Sequence, residues 1–106
     1  MDRLSRINML LSLLVNEPND VFTNYALAIE YAGEGDLEKA EKQFLKVLEI
    51  DNNYLPCYYQ LGQLHEKHKG TQVALDYYKK GLELAKLQGN NKTANEISEA
   101  IFLLED

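Results

Sequence analysis

The sequence is poor in residues that interrupt helices and in residues that cross-link chains. Its 106 residues include two prolines, six glycines, one cysteine and no tryptophan. Few prolines and glycines leave long stretches in which a helix can continue unbroken. The single cysteine, Cys57, excludes an internal disulfide framework and is typical of a reducing compartment. We therefore expect a cytoplasmic domain that holds together without disulfides.

Basic residues are also scarce. The chain has 11 Lys and Arg against 17 Asp and Glu, which gives a formal net charge of −6 at pH 7. Nucleic-acid binding depends on Lys and Arg side chains that neutralise backbone phosphates. The charge balance therefore predicts that nucleic acid is not a partner.

Long apolar runs are missing as well. No run approaches the ~20 apolar residues that a helix needs to cross a bilayer. The segment "INMLLSLLV" at residues 7–15 resembles the apolar part of a signal peptide, but Asn16, Glu17 and Pro18 follow it instead of a small-residue cleavage pattern. We expect neither a signal peptide nor a membrane partner.

What the sequence does contain is a repeat of 34 residues. A shift of 34 aligns "EKAEKQFLKVLEI" at residues 38–50 with "QVALDYYKKGLEL" at residues 72–84. The shift pairs Ala40 with Ala74, Phe44 with Tyr78, Leu48 with Leu82, and Ile50 with Leu84. In the first copy, apolar residues recur at i, i+4, i+7 and i+8, at Ala40, Phe44, Val47 and Leu48. This spacing predicts an amphipathic helix. A fixed period of this length is typical of repeat architectures.

Each repeat unit contains a second helix before the one just described. Leu27, Ala28 and Tyr31 form a stripe on this helix, and "GEGD" at residues 33–36 supplies a turn in which Asp36 can cap the next helix. In the second copy, Gly70 and Thr71 are expected to supply the break and the cap. Small residues at the close approaches leave room for large ones, so stacked helix pairs can bury a continuous seam.

This unit resembles the tetratricopeptide repeat. The resemblance is carried in the first copy by Leu27, Ala28, Tyr31, Ala40, Phe44, Leu48 and Ile50, and in the second by Leu61, Gly62, His65, Ala74, Tyr78, Leu82 and Leu84. Asn24 and Tyr58 stand where the family often has Trp. The resemblance implies an all-α fold, a solenoid of helical hairpins in a superhelix of about six antiparallel helices.

The layout predicted for the chain is a single domain over residues 1–106. Residues 1–20 form an N-terminal half repeat, residues 21–54 the first repeat, residues 55–90 the second, and residues 91–106 a C-terminal capping helix. The last helix aligns with the first helix of the second repeat at an offset of 36. Whether these repeats belong to a longer array is left open.

Reactive side chains do not form a recognisable constellation in the sequence. His65 and His68 in "HEKH" lie at i and i+3, whereas the zinc-binding pattern requires i and i+4 and a third ligand. Cys57 has no positioned base nearby in the sequence, and a small, part-buried residue is its expected role. No phosphate-binding loop is present. We therefore expect no catalytic residue, no cofactor and no metal, and we do not expect an enzyme.

A second apolar set lies on the first helix of each repeat. Phe22, Tyr25 and Ile29 follow i, i+3 and i+7, while Tyr59 and Gln63 are the equivalents of Tyr25 and Ile29 one repeat later. The resemblance implies that this face lines a concave groove. We predict that these five residues bind a peptide or helical segment of a partner protein, since exposed aromatic patches commonly mark partner sites.

One known type of tetratricopeptide groove grips the C-terminal carboxylate of heat-shock chaperones with Lys and Asn on its first groove helix. Tyr25 and Ile29 stand at those places here. The resemblance therefore disfavours a chaperone tail as the partner and favours an apolar or aromatic segment.

The C-terminal helix offers an alternative function. Phe102 and Leu103 fall on the side that faces away from the stack, where a terminal repeat should be polar. They predict a homodimer, formed through this helix or through the groove, so the chain can also be interpreted as a self-associating scaffold. The groove can equally be interpreted as a surface that the terminal helix or a second copy of this chain covers, instead of a partner site.

Overall fold

The computed structural model describes residues 1–105. Within this range the regular structure consists of helices only. They are α1 (Arg3–Asn16), α2 (Val21–Gly33), α3 (Leu37–Ile50), α4 (Leu55–Lys67), α5 (Thr71–Leu87) and α6 (Asn91–Glu105). The prediction of an all-α repeat fold with about six helices is confirmed. Across residues 1–105, none of the helices has the length and apolar character required to span a membrane.

The helices fall into two compact units. The first is Met1–Asn52 and contains α1 to α3, and the second is Asn53–Asp106 and contains α4 to α6. In the first unit α2 packs against both α1 and α3, and in the second α5 packs against both α4 and α6. Each unit therefore has a central helix with a neighbour on either side.

Aspartates begin the three helices of the first unit. The carboxylates of Asp2, Asp20 and Asp36 each accept a hydrogen bond from the backbone N–H three residues later, at 2.8, 2.8 and 3.0 Å. These bonds satisfy donors that a helix N-terminus leaves unpaired. The prediction for Asp36 is therefore confirmed. The prediction for Thr71 is wrong, because Gly70 occupies the N-cap position of α5 and no side chain caps that helix.

The core of the first unit is the stripe read from the sequence. Leu27 is 1% exposed, while Ala28, Ala40 and Phe44 are fully buried. The alanines allow α2 and α3 to approach closely, so the Phe44 ring can fill the space between them.

A buried polar residue occupies one position where the family often has tryptophan. Asn24 is 2% exposed, and its Nδ2 donates to the backbone carbonyls of Pro18 and Asp20 at 3.0 and 2.8 Å. Its Oδ1 accepts from Gln43 Nε2 on α3 at 2.7 Å. Asn24 therefore ties the α1–α2 connection to α3 with hydrogen bonds where tryptophan would contribute packing.

Two arginines attach α1 to α2. Arg3 Nε lies 3.3 Å from Glu30 Oε1, and Arg6 Nε lies 3.1 Å from Glu30 Oε2. Arg3 also donates from Nη1 to the Gly33 carbonyl at 2.9 Å. The Glu30 side chain is only 17% exposed and is bound from two directions.

The second unit is built around a close contact between Gly62 and Tyr78. Both residues are buried, and a Cβ added at Gly62 would overlap the Tyr78 ring. This is the alternation of small and large residues that the repeat predicted. The buried cluster around Tyr78 also includes Leu55, Ala85 and Ile97.

The offset of 36 for the last helix has a structural basis in α5. This helix has 17 residues, against 14 in its equivalent α3. It ends before Gly89, whose φ of +68° is the left-handed conformation expected at a helix end. The additional residues thus extend α5 before α6 begins, with Asn90 accepting from the Thr93 N–H at 3.1 Å.

Candidate functional site

The predicted groove residues of the first unit lie along α2. Phe22, Tyr25 and Ile29 form what we call the α2 face. Phe22 is 71% exposed, while Tyr25 and Ile29 are half-buried. The Tyr25 ring packs against Phe44, with 6.0 Å between the ring centroids and 59° between the planes. The α2 face therefore consists of one largely exposed aromatic ring beside two half-buried side chains.

The predicted residues of the second unit, Tyr59 and Gln63, line a cavity that we call the α4–α6 cavity. Its volume is about 300 Å³. Its walls are formed by Tyr59, Gln63 and Glu66 of α4, Tyr78 of α5, and Glu96, Glu99, Ala100 and Leu103 of α6. The terminal helix thus contributes one side of the cavity and leaves the space in front of Tyr59 open. Coverage by a second copy of the chain stays a prediction.

Hydrogen bonds fix the aromatic side chains of the cavity. Gln63 Nε2 donates to Tyr59 Oη at 3.0 Å, and the Tyr59 and Tyr78 rings lie 6.0 Å apart with 46° between their planes. Tyr78 Oη donates to Glu66 Oε1 at 2.8 Å. Tyr78 is fully buried, so its ring provides a fixed surface against which Tyr59 packs. The Tyr78 hydroxyl also holds the Glu66 carboxylate in one orientation.

The Tyr78 hydroxyl stays protonated throughout the physiological range. Burial of the group, followed by its hydrogen bond to the Glu66 carboxylate, raises the pKa of Tyr78 well above its ordinary value. A neutral phenol is the form that can donate to a carboxylate. Tyr78 therefore acts as a permanent donor to Glu66 and not as an acid or base.

Sequence reasoning did not include the α6 wall of the cavity in the groove. Glu96, Glu99 and Leu103 follow i, i+3 and i+7, which places them on one side of the helix. The offset of 36 aligned Glu99 with Gln63, so a signal for this position was available. The depth of the cavity was not readable, because it depends on how far α6 stands from α4.

The two residues proposed for self-association differ in their surroundings. Phe102 is 70% exposed and Leu103 is 67% exposed. Leu103 lies on the wall of the α4–α6 cavity, whereas Phe102 does not. Phe102 is therefore the residue that can test self-association separately from binding in the cavity.

His65 and Cys57 are packed within the fold. His65 is half-buried and stacks on Tyr77, with 5.6 Å between ring centroids and 25° between planes. Cys57 is fully buried. Across residues 1–105 no three His, Cys, Asp or Glu side chains come together in a way that could hold a metal ion.

Solved structures similar to the chain include tetratricopeptide repeat proteins. A tetratricopeptide repeat domain protein from Salinibacter ruber, solved in solution, is 36% identical with a TM-score of 0.77, and the match covers 84% of this chain and 90% of that one. Two further structures show the shared fold at lower identity. A protein from Bordetella parapertussis is 18% identical with a TM-score of 0.85, over 93% of this chain and 86% of that one. The TPR2B domain of yeast Sti1, solved in complex with pHsp70, is 17% identical with a TM-score of 0.85, over 93% and 79% of the two chains.

The family itself is identified from the sequence. No curated protein sequence matches the chain. The family model of the tetratricopeptide repeat matches two consecutive stretches, residues 23–54 and 55–86. Together they make up more than half of the chain. These stretches contain the buried Leu27 and Phe44 of the first unit and the contact between Gly62 and Tyr78 in the second. The chain belongs to the tetratricopeptide repeat family.

Proposed function

We propose that the chain is a non-catalytic module that binds a peptide or a short helical segment of a partner protein. Tetratricopeptide repeats generally mediate protein–protein interaction, and domains of this family are generally not catalytic. The proposed contact residues are Phe22, Tyr25, Ile29, Tyr59 and Gln63. The chain has a single cysteine, the buried Cys57, which supports a cytoplasmic location. The layout of a half repeat, two repeats and a capping helix is part of this proposal.

The observation that carries the proposal is the α4–α6 cavity. At about 300 Å³ it lies at the lower end of the range of ligand sites, which suits one large side chain better than a whole small molecule. Its aromatic wall is held by the core, so a ligand would not have to order it on binding. Preorganised aromatic side chains of this kind contribute most of the binding energy at many protein interfaces.

The α2 face supports the same function in the first unit. The Phe22 ring is 71% exposed, so it contributes little to the stability of the fold. Its apolar surface is available to a partner. The neighbouring Tyr25 and Ile29 keep part of their surface accessible. An amphipathic segment that presents apolar side chains at helical spacing fits such a face.

Selection from a library of random twelve-residue peptides, displayed on phage against the immobilised chain, tests the proposal. Recovered peptides are synthesised, and their affinity is measured by fluorescence anisotropy. We expect Phe22→Ala or Gln63→Ala to weaken a recovered peptide about tenfold or more, as loss of an interface anchor does. Both residues are exposed, so the fold should tolerate the changes.

Leu87→Ala serves as the matched control, because Leu87 is 79% exposed and belongs neither to the α2 face nor to the α4–α6 cavity. It should leave the affinity unchanged. Failure to recover any binding peptide, or equal binding by the wild type and both groove variants, would refute the proposed function.

Self-association is a second candidate, favoured by the exposure of Phe102 and Leu103 on α6. Adjacent large apolar side chains on a helix surface are a common dimer contact. Sedimentation velocity across a range of concentrations tests it. A dimer that Phe102→Ser dissociates would establish the contact, and a strictly monomeric wild type at high micromolar concentration would exclude it.

A further inference from the structure

The α4–α6 cavity is acidic, although the unit that contains it is almost neutral as a whole. Residues 53–106 contain seven Asp and Glu and six Lys. The cavity takes three of the acidic residues, Glu66, Glu96 and Glu99, and none of the lysines. Because the unit as a whole is nearly balanced, this local excess is not a consequence of the net charge of the chain.

Among the residues that the structure describes, two of the three carboxylates have no partner. Within residues 1–105, Glu96 and Glu99 make neither a hydrogen bond nor an ion pair with another side chain, whereas Glu105 nearby on α6 is paired with Lys79 at 3.2 Å. Glu66 accepts from the neutral Tyr78 hydroxyl, so its charge is held in place and not neutralised. The cavity therefore carries uncompensated negative charge on both of its long walls.

Apolar and aromatic surface lies between these carboxylates. Tyr59 is half-buried with its hydroxyl held by Gln63, and Ala100 and Leu103 face it from α6. An acidic ligand would be repelled by the walls, and a purely apolar one would bury carboxylates without compensation. The complementary occupant has a long apolar stem and a cationic head.

We propose, on the basis of the proposed function, that the α4–α6 cavity receives an arginine side chain of the bound partner segment. The guanidinium group has five donors in a planar fork, so one head can reach carboxylates that project from two helices. Its flat face can also stack on the Tyr59 ring. A lysine ammonium is a compact point charge, and it would satisfy the separated carboxylates of α4 and α6 less completely.

Four pools of fluorescein-labelled nine-residue peptides test the assignment. The central residue is fixed as Arg, Lys, Gln or Glu, and the other positions are randomised. We expect the Arg pool to bind about tenfold or more tightly than the Gln pool, as hydrogen bonds between charged groups imply. The Glu pool should bind least. The advantage of the Arg pool should shrink as salt is added, since the cavity is open to solvent.

The double variant Glu96→Gln/Glu99→Gln removes two charges from the cavity and keeps the size of both side chains. It should reduce the preference for Arg over Gln to about twofold or less, since only Glu66 is left to attract the guanidinium. The matched control, Asp76→Asn/Glu83→Gln, removes two charges from exposed positions on α5 outside the cavity and should keep the preference.

The outcomes separate this inference from the proposed function. If the pools bind but show no preference for Arg, or if the Lys pool binds as tightly as the Arg pool, the arginine assignment is wrong and the peptide-binding function stands. An Arg preference that survives in Glu96→Gln/Glu99→Gln would overturn the location. If no pool binds, the proposed function fails together with this inference.

Discussion

Replacement of Gly62 by alanine tests the packing on which the second unit depends. Gly62 lies inside α4 and is buried, and a Cβ at this position would overlap the ring of Tyr78. Tyr78 is itself fully buried, and its hydroxyl is hydrogen-bonded to Glu66, so turning the ring away would break that bond. Relief of the overlap therefore requires either the loss of this hydrogen bond or a movement of α4 and α5 apart.

Two opposing terms determine the size of the effect. Alanine is favoured over glycine within a helix by about 1 kcal/mol. An extra carbon in a well-packed core costs about 1–3 kcal/mol. The overlap at Gly62 involves a rigid ring and not the end of a flexible side chain, so we expect a cost toward the upper end. The net loss in the free energy of unfolding should be about 1–2 kcal/mol.

Urea unfolding followed by circular dichroism measures this loss. Gly33→Ala is the matched control, because the atoms nearest to the added Cβ lie at the end of the flexible and partly exposed Arg3 side chain, so relief there does not require two helices to move apart. The control should change stability by less than about 0.5 kcal/mol, as surface substitutions usually do. A Gly62→Ala protein as stable as the wild type would refute the close approach of α4 and α5 at Tyr78.

Three further predictions concern the first unit. Phe44→Ala should lower the free energy of unfolding by about 3–5 kcal/mol, because it empties a fully buried ring site; an unchanged urea midpoint would contradict that placement. Asn24→Ala should lower the free energy of unfolding by about 1–3 kcal/mol, because Gln43 and two backbone carbonyls lose their buried partner. Adding Gln43→Ala to this variant should then cause little further loss of stability. Hydrogen bonds from the side chain and the backbone N–H of Thr23 lower the pKa of Asp20, so its stabilising contribution is present above about pH 4 and is lost as the pH falls through the lowered value. Urea midpoints measured from neutral to acidic pH should therefore fall less steeply for Asp20→Asn, and parallel curves would contradict this.

The fold could be predicted because both repeats contain the same pattern of small and large residues at the positions that pack together. Ala40 and Phe44, and their equivalents Ala74 and Tyr78, alternate small and large side chains at helical spacing, and all four are buried in the structure. A repeated local pattern of this kind needs contacts only between neighbouring helices, so it specifies the helix pairs without long-range information.

The surroundings of single polar residues were much less predictable. Arg3 and Arg6 bind Glu30 from a helix that begins 27 residues earlier, and the repeat pattern does not indicate this contact. Asn24 was noticed only as a departure from tryptophan, and its three hydrogen bonds depend on the position of the chain around Pro18. Such contacts form between segments whose relative placement a periodic pattern does not record.

The candidate site was predicted on α4 and missed on α6. The repeat placed Tyr59 and Gln63 on the groove side, and both line the α4–α6 cavity. The carboxylates of Glu96 and Glu99 join them because α5 is longer than α3 and α6 begins later than the repeat would place it. The chemical character of the site therefore arises where the repeat becomes irregular.

The most direct test of peptide binding in the α4–α6 cavity is a nuclear magnetic resonance titration of the ¹⁵N-labelled chain with a selected peptide that contains arginine. We expect the largest changes in amide chemical shift on α4 around Gln63 and on α6 between Glu96 and Leu103, and the same peptide with citrulline in place of arginine should cause much smaller ones. Changes confined to the exposed side of α5 around Glu83 would contradict binding in the cavity, and equal changes with the two peptides would contradict the arginine assignment.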